Sequence, residues 1–181
     1  MTDIKFWARV ALMAAVIAVL AQVAIPLPWG VPITGQLVGV FLAGAILGSR
    51  GGTWALVIYI LLGVIGLPVF AQGKAGVGVL VGPTGGYLIG FVLGVYFLGK
   101  IVEAAKSPTF WTNALGMVVC MLTSYALGTV QFAWVTGRSL GEALLLAVVP
   151  YVALDLVKLV IAASLALAVR QALIQAGLVK P

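Results

Sequence analysis

Long apolar runs, broken at intervals by glycine, proline and isolated charges, dominate this chain. A membrane-crossing helix needs about 20 mostly apolar residues, within a range of roughly 17–25. Phe6 to Ile25 is the first such run. Lys5 precedes it, Arg9 lies in its first turn, and Pro26-Leu27-Pro28 ends it. A secretory signal has a similar opening, but no polar mature domain follows, so a retained helix is the better reading. Gln36 to Gly48 and Thr53 to Leu67 are shorter runs, stopped by Ser49-Arg50-Gly51-Gly52 and by Pro68. Their lengths suit tilted or partly re-entrant segments. Ala71 to Pro83 reads as a glycine-rich loop. Gly85 to Ile101, Phe110 to Val135 and Leu144 to Ala172 complete the pattern. The expectation is an all-α integral membrane protein with six transmembrane helices, forming one domain over residues 1–181.

Six spans place both termini on one side. Positive residues favour the cytoplasmic face. With the N-terminus inside, that face carries Lys5, Arg9, Arg50, Lys100, Lys106, Arg170 and Lys180, against Lys74 and Arg138 outside. Both termini are therefore expected in the cytoplasm, with the Pro28–Gly35 and Ala71–Pro83 loops outside. Trp7, Trp29, Trp54, Trp111, Trp134 and Tyr59 read as interfacial or packing residues.

Composition strengthens the membrane reading. The chain is 64% hydrophobic and 8% charged, where a soluble domain carries about 25% charged residues. The net charge of +6 comes from scattered single residues, so no basic track for nucleic acid exists. One cysteine, Cys120, excludes an internal disulfide and a cysteine metal cage. The absence of histidine removes His-based metal sites and Ser-His-Asp catalysis. No cofactor is expected.

Against this background, Asp155 and Lys158 stand out. With Tyr151 they are the ionisable side chains between Leu144 and Val169. A charge at the centre of a membrane helix costs roughly 2.5–3.5 kcal/mol on insertion scales. Tyr151, Asp155 and Lys158 lie four and then three residues apart, on one helical face. A charge-compensated pair that stitches helices together has the same pattern. The functional reading is the floor of a site for a small polar molecule: a carboxylate accepts N–H donors and an ammonium donates to a carbonyl oxygen. Side by side they match a urea or an amide. Gln36, in a short span, is a weaker candidate.

Two other segments carry patterns. Ala11 with Ala15, and Ala14 with Ala18, form small-xxx-small pairs on the first helix, extended by Ala8 and Ala21. Such a strip allows close helix approach, within this chain or to a separate subunit. The glycine-rich, apolar segment from Leu67 to Tyr87 suits a lid over a pocket, or a tight loop between helices. It is no phosphate cradle, because Lys74 is followed by Ala75 rather than Ser or Thr.

These residues together resemble the BioY family, the biotin-binding membrane subunits (S components) of energy-coupling factor (ECF) transporters. The likeness covers nearly the whole chain. It is carried by Ala21-Gln22 with Ile25-Pro26-Leu27-Pro28, by Val31-Pro32-Ile33-Thr34 with Gln36, and by Leu42-Ala43-Gly44 with Leu47-Gly48. The most specific blocks are Leu61–Ala71 and Gly82–Phe91, with Pro150-Tyr151, Asp155 and Lys158 at the end. The resemblance implies capture of biotin from outside a prokaryotic cell membrane. It implies that the alanine strip of the first helix docks a transmembrane coupling subunit (T component), and that two cytoplasmic ATPase subunits power uptake. Asp155 and Lys158 would hold the ureido head group. The loop from Gln72 to Gly78, with Tyr87, would close over the ligand, and Lys74 is a candidate for its carboxylate. An intramembrane enzyme is disfavoured, since Asp3, Glu103 and Glu142 lie at helix ends or loops, far from pairing with Asp155. Another vitamin as ligand, or a stand-alone ion-coupled or passive transporter, remains an alternative.

Overall fold

The computed structural model describes residues 4–28, 31–105 and 107–176. Asp3, Trp29, Lys106 and Lys180, which entered the reading above, lie outside them. The described residues form helices α1 (Ile4–Gln22), α2 (Gln36–Val64), α3 (Val77–Val81), α4 (Gly85–Ala104), α5 (Phe110–Thr136), α6 (Leu140–Ala147) and α7 (Val149–Gln175). Two-residue strands β1 (Ala24–Ile25) and β2 (Ile33–Thr34) pair antiparallel between α1 and α2. Helices α1, α2, α4, α5 and α7 are long and apolar enough to cross a membrane.

No glycine or proline interrupts α1. Its buried residues Val10, Ala14, Ile17 and Ala21 recur every three or four positions, which turns one stripe inward. That stripe faces α2: Gly39 sits against Ile17 and Gly35 against Leu20. The sequence places two spans where α2 lies, and the structure joins them. The helical pattern resumes at Ser49, so the expected four-residue break contracts to Gly48, with φ 70° and ψ −171°. This backbone region is open essentially to glycine alone. The chain doubles back there, because Gly52 lies against the Ala43 carbonyl, nine residues away in sequence. A straight helix would hold them roughly 13 Å apart. A side chain on Gly52 would collide with that carbonyl, so the glycine permits the two arms to touch. The Glu103 carboxylate fixes the turn, accepting from Ser49 N–H at 2.7 Å and from Ser49 Oγ at 2.9 and 3.0 Å.

Helices α4 and α5 run antiparallel, with Gly94 against Cys120 and Gly86 against Leu127. Thr109 caps α5, accepting from Thr112 N–H at 3.3 Å. Gly137, at φ 67°, ends it. The next segment departs from expectation: the sixth span was placed from Leu144, but Ser139 and Glu142 build a capping box that starts α6 at Leu140. Val148 breaks the helix, and Pro150 sits in the first turn of α7, where a proline costs no hydrogen bond. The expected loop at Ala71–Pro83 likewise contains a 3-10 turn at Ala71–Gly73 and the short α3.

The Gly48 turn, the start of α1 and the end of α4 gather at one end: Trp7 meets Trp54 edge-on at 5.7 Å, and Arg50 lies over Phe6. The β-pair, α3 and α6 gather at the other. Between the ends, the outward side chains are apolar, including Leu12, Leu93, Leu122 and Ile161. Trp111 and Trp134, both strongly exposed, stand at opposite ends of α5. Their separation along the helix is roughly 34 Å, close to the thickness of about 30 Å of a bilayer core.

Candidate functional site

Asp155 and Lys158 occupy adjacent turns of α7, on the side of the helix whose buried residues include Tyr151 and Leu159. Lys158 Nζ donates to Asp155 Oδ1 at 2.7 Å, with side chains 16% and 7% exposed. That degree of burial means that neither charge is left to solvent for compensation, so each depends on the other. The second carboxylate oxygen has its own partner: Tyr125 OH, from α5, donates to Asp155 Oδ2 at 2.6 Å. A carboxylate has about four acceptor sites and an ammonium three donors. After these two bonds, both groups retain capacity for a ligand.

The pair lines a cavity between α2, α4, α5 and α7, roofed by the loop-end elements. The cavity and its open mouth enclose about 830 Å³, within the range of roughly 300–1,000 Å³ for small-molecule sites. Apolar walls come from Leu37, Leu88, Phe91 and Met121. Tyrosines brace its upper rim. Tyr87 OH donates to the Ala147 carbonyl at 2.5 Å, tying α4 to α6. Tyr151 OH donates to the Val31 carbonyl at 2.5 Å, tying α7 to the segment before α2. Their rings remain in the cavity wall.

Gln36 is buried in the same wall, and Lys74 stands at the mouth. Tyr151, Asp155, Lys158, Tyr87, Gln36 and Lys74 are thus brought together. Gln72 is not: it is exposed, at φ 62° in the 3-10 turn, and its side chain does not line the cavity. Gln131 anchors the roof. Its Nε2 donates to the Leu80 and Gly82 carbonyls at 2.6 and 2.8 Å. Gln22 does the same at the end of α1. Its Nε2 donates to the carbonyls of Val69 and Phe70, and its Oε1 accepts from Gly73 N–H at 3.0 Å.

Three residues were missed by sequence reasoning. Tyr125 lay unnoticed in an apolar run; a hydroxyl on a buried face was the available signal. Phe70 is 2% exposed and closes the cavity beside Tyr59, edge-on at 5.6 Å. Tyr59 read as an interfacial or packing residue with no role in a site, but it is fully buried and lines the cavity. A tyrosine at a bilayer interface keeps its hydroxyl in water, and this one does not.

The alanine strip divides. Ala8, Ala11 and Ala15 are exposed, Ala18 is half-buried, and Ala14 is 1% exposed. Ala14 therefore packs against α2 and is removed from any docking face, because the helix repeat carries it off the line of Ala11 and Ala15. Outside the spans, Glu142 has its carboxyl pKa lowered by the Ser139 backbone and hydroxyl hydrogen bonds. Its charge serves the cap of α6. Among the described residues, no group of three or more Cys, Asp or Glu side chains is gathered to hold a metal.

Comparison with known proteins gives the same outline. The family model described as "BioY family" matches residues 1–175. A biotin transporter BioY of Thermotoga maritima is 42% identical over 163 residues, covering 90% of this chain and 94% of its own. A biotin transporter BioY of Rhodobacter capsulatus is 39% identical over 173 residues, covering 90% and 91%. Among solved structures, the S component for biotin from an ECF-type ABC transporter superposes with a TM-score of 0.83. It is 26% identical, over 94% of this chain and 95% of that one.

Proposed function

The chain belongs to the BioY family, and on that premise we infer that it is a multi-pass membrane S component that takes up biotin with an ECF energising module. It is a transporter subunit and not an enzyme. The observation that carries the ligand assignment is the buried Asp155–Lys158 pair in the wall of an apolar cavity. Biotin has a ureido ring with two N–H donors and one carbonyl acceptor. The carboxylate would accept the N–H groups and the ammonium would donate to the carbonyl. The thiophane ring and aliphatic chain would lie against Leu88, Phe91 and Met121. Lys74 at the mouth is a cation suited to the carboxylate end.

The finer architecture follows the same reading. Each arm of α2 is a separate crossing, which gives six crossings and places both termini on one side. Lys5, Arg9, Arg50, Lys100 and Arg170 then lie on the cytoplasmic side of a prokaryotic plasma membrane, and Lys74 and Arg138 outside. The exposed alanines of α1 dock a T component, and two cytoplasmic ATPase subunits supply the energy.

Titration calorimetry of the detergent-solubilised chain with biotin tests the assignment. One-to-one binding that is lost in a folded Lys158→Ala variant is the expected result. Retained binding in that variant moves the site elsewhere, and a folded wild-type chain that ignores biotin removes the ligand.

A further inference from the structure

Two buried donors in the cavity wall have no partner among the described residues: Gln36 Nε2 and Tyr59 OH. Gln36 is 5% exposed and Tyr59 fully buried, and both line the cavity. A buried polar group left unsatisfied is costly, and native structures seldom keep one without a use. The fold of α2 explains why there are two of them together. Ala43 and Gly52 touch across the hairpin. Gln36 lies seven residues before Ala43, and Tyr59 seven residues after Gly52. Seven residues are about two helical turns, so both side chains return to the same face at the same height, one on each arm.

Their height relative to the charged pair is also set. Tyr151, in the first turn of α7, bonds to Val31, just before α2 begins. The first turn of α7 therefore lies at the end of the molecule where α2 begins. Asp155 and Lys158 lie one and two turns deeper. The cavity thus has a deep pole of mixed character and a shallow pole made of donors, with Lys74 above it at the mouth.

We propose that Tyr59 OH and Gln36 Nε2 form a paired-donor subsite that receives the carboxylate of the bound ligand. This rests on the biotin reading above. With the ureido group at the deep pole, the carboxylate is the remaining acceptor-only group, and the aliphatic chain leads it toward the shallow one. Tyr59 acts here as a ligand-binding residue. Its ring is held edge-on by Phe70 at 5.6 Å, so the ring's position is set by packing before ligand arrives.

Tyr59→Phe removes the hydroxyl and keeps the ring. Affinity for biotin and for biotinol, in which a neutral hydroxyl replaces the carboxylate, is measured by calorimetry on wild type and variant. Ligand-free thermal midpoints are read alongside. The variant should lose roughly ten- to a hundredfold in biotin affinity, the scale of one charge-assisted hydrogen bond, and much less for biotinol. Its ligand-free midpoint should stay level or rise, since removing an unpaired buried hydroxyl relieves a cost. Equal losses for both ligands overturn the carboxylate assignment. Unchanged biotin affinity, or a fall in the ligand-free midpoint that accompanies the loss, overturns the subsite. Wild-type chain that binds no biotin removes the underlying reading as well, so the two failures are distinct.

Discussion

Asp155 is the residue on which the deep end of the cavity depends, because it holds two neighbours at once. One oxygen neutralises Lys158, and the other accepts from Tyr125. These contacts have unequal weight. Asp155→Asn leaves the Lys158 ammonium buried without a counter-charge, and removal of one member of such a pair costs a great deal. Biotin affinity of the folded variant should fall by about a hundredfold or more. Tyr125→Phe removes a single donor and leaves the ion pair in place, so the loss should be nearer tenfold. Calorimetry on both variants checks the order. A Tyr125→Phe loss equal to that of Asp155→Asn would show that the hydroxyl, rather than the charge pair, sets the carboxylate's position.

At the scale of elements, the α2 hairpin does most to build the site, since it delivers Gln36 and Tyr59 to one wall. Its turn rests on Gly48, in a backbone region that costs other residues about 1–3 kcal/mol. A side chain there would also press on Glu103, the carboxylate that fixes the turn. Gly48→Ala should therefore lower the free energy of chemical unfolding in detergent by about 1–3 kcal/mol, while Gly137→Ala, at the open end of α5, tests backbone strain without the collision. The hairpin also shows where sequence reading stopped. Apolar runs located the long helices, because burial in lipid demands continuous apolarity. Tyr151, Asp155 and Lys158 were legible because charge in such a run is costly and their spacing is local. Gln36 and Tyr59 are paired only by the way the chain folds back, and the short α3 and α6 are set by caps and breaks, so periodicity alone did not reveal them. Gln72, a polar residue beside the pocket in sequence, is exposed and outside the cavity wall, which its neighbours in sequence do not reveal.

At the scale of the whole molecule, the proposed S component must hold its ligand and also meet a partner in the membrane, and α1 has one face packed inward and another turned outward. Ala14, Ile17 and Ala21 face α2, and Gln22 at the helix end grips the loop that carries Phe70. Ala8, Ala11 and Ala15 face outward beside Leu12 and Val19. Without a hydrophobic drive between helices in lipid, association relies on close backbone approach at small residues. Trp at Ala11 or Ala15 would hold a partner helix away without disturbing the interior. Ala11→Trp and Ala15→Trp should therefore bind biotin as wild type does, yet fail to co-purify with the coupling subunit and fail in ATP-driven uptake by reconstituted vesicles. Ala14→Trp is the internal control. It enters a fully packed interface, so it should lower stability and ligand binding together. If Ala11→Trp and Ala15→Trp still assemble and transport, the partner meets another face of the molecule. If instead they lose biotin binding, α1 reports its outward contacts to the cavity, with the Gln22 grip on the Phe70 loop as the nearest physical connection.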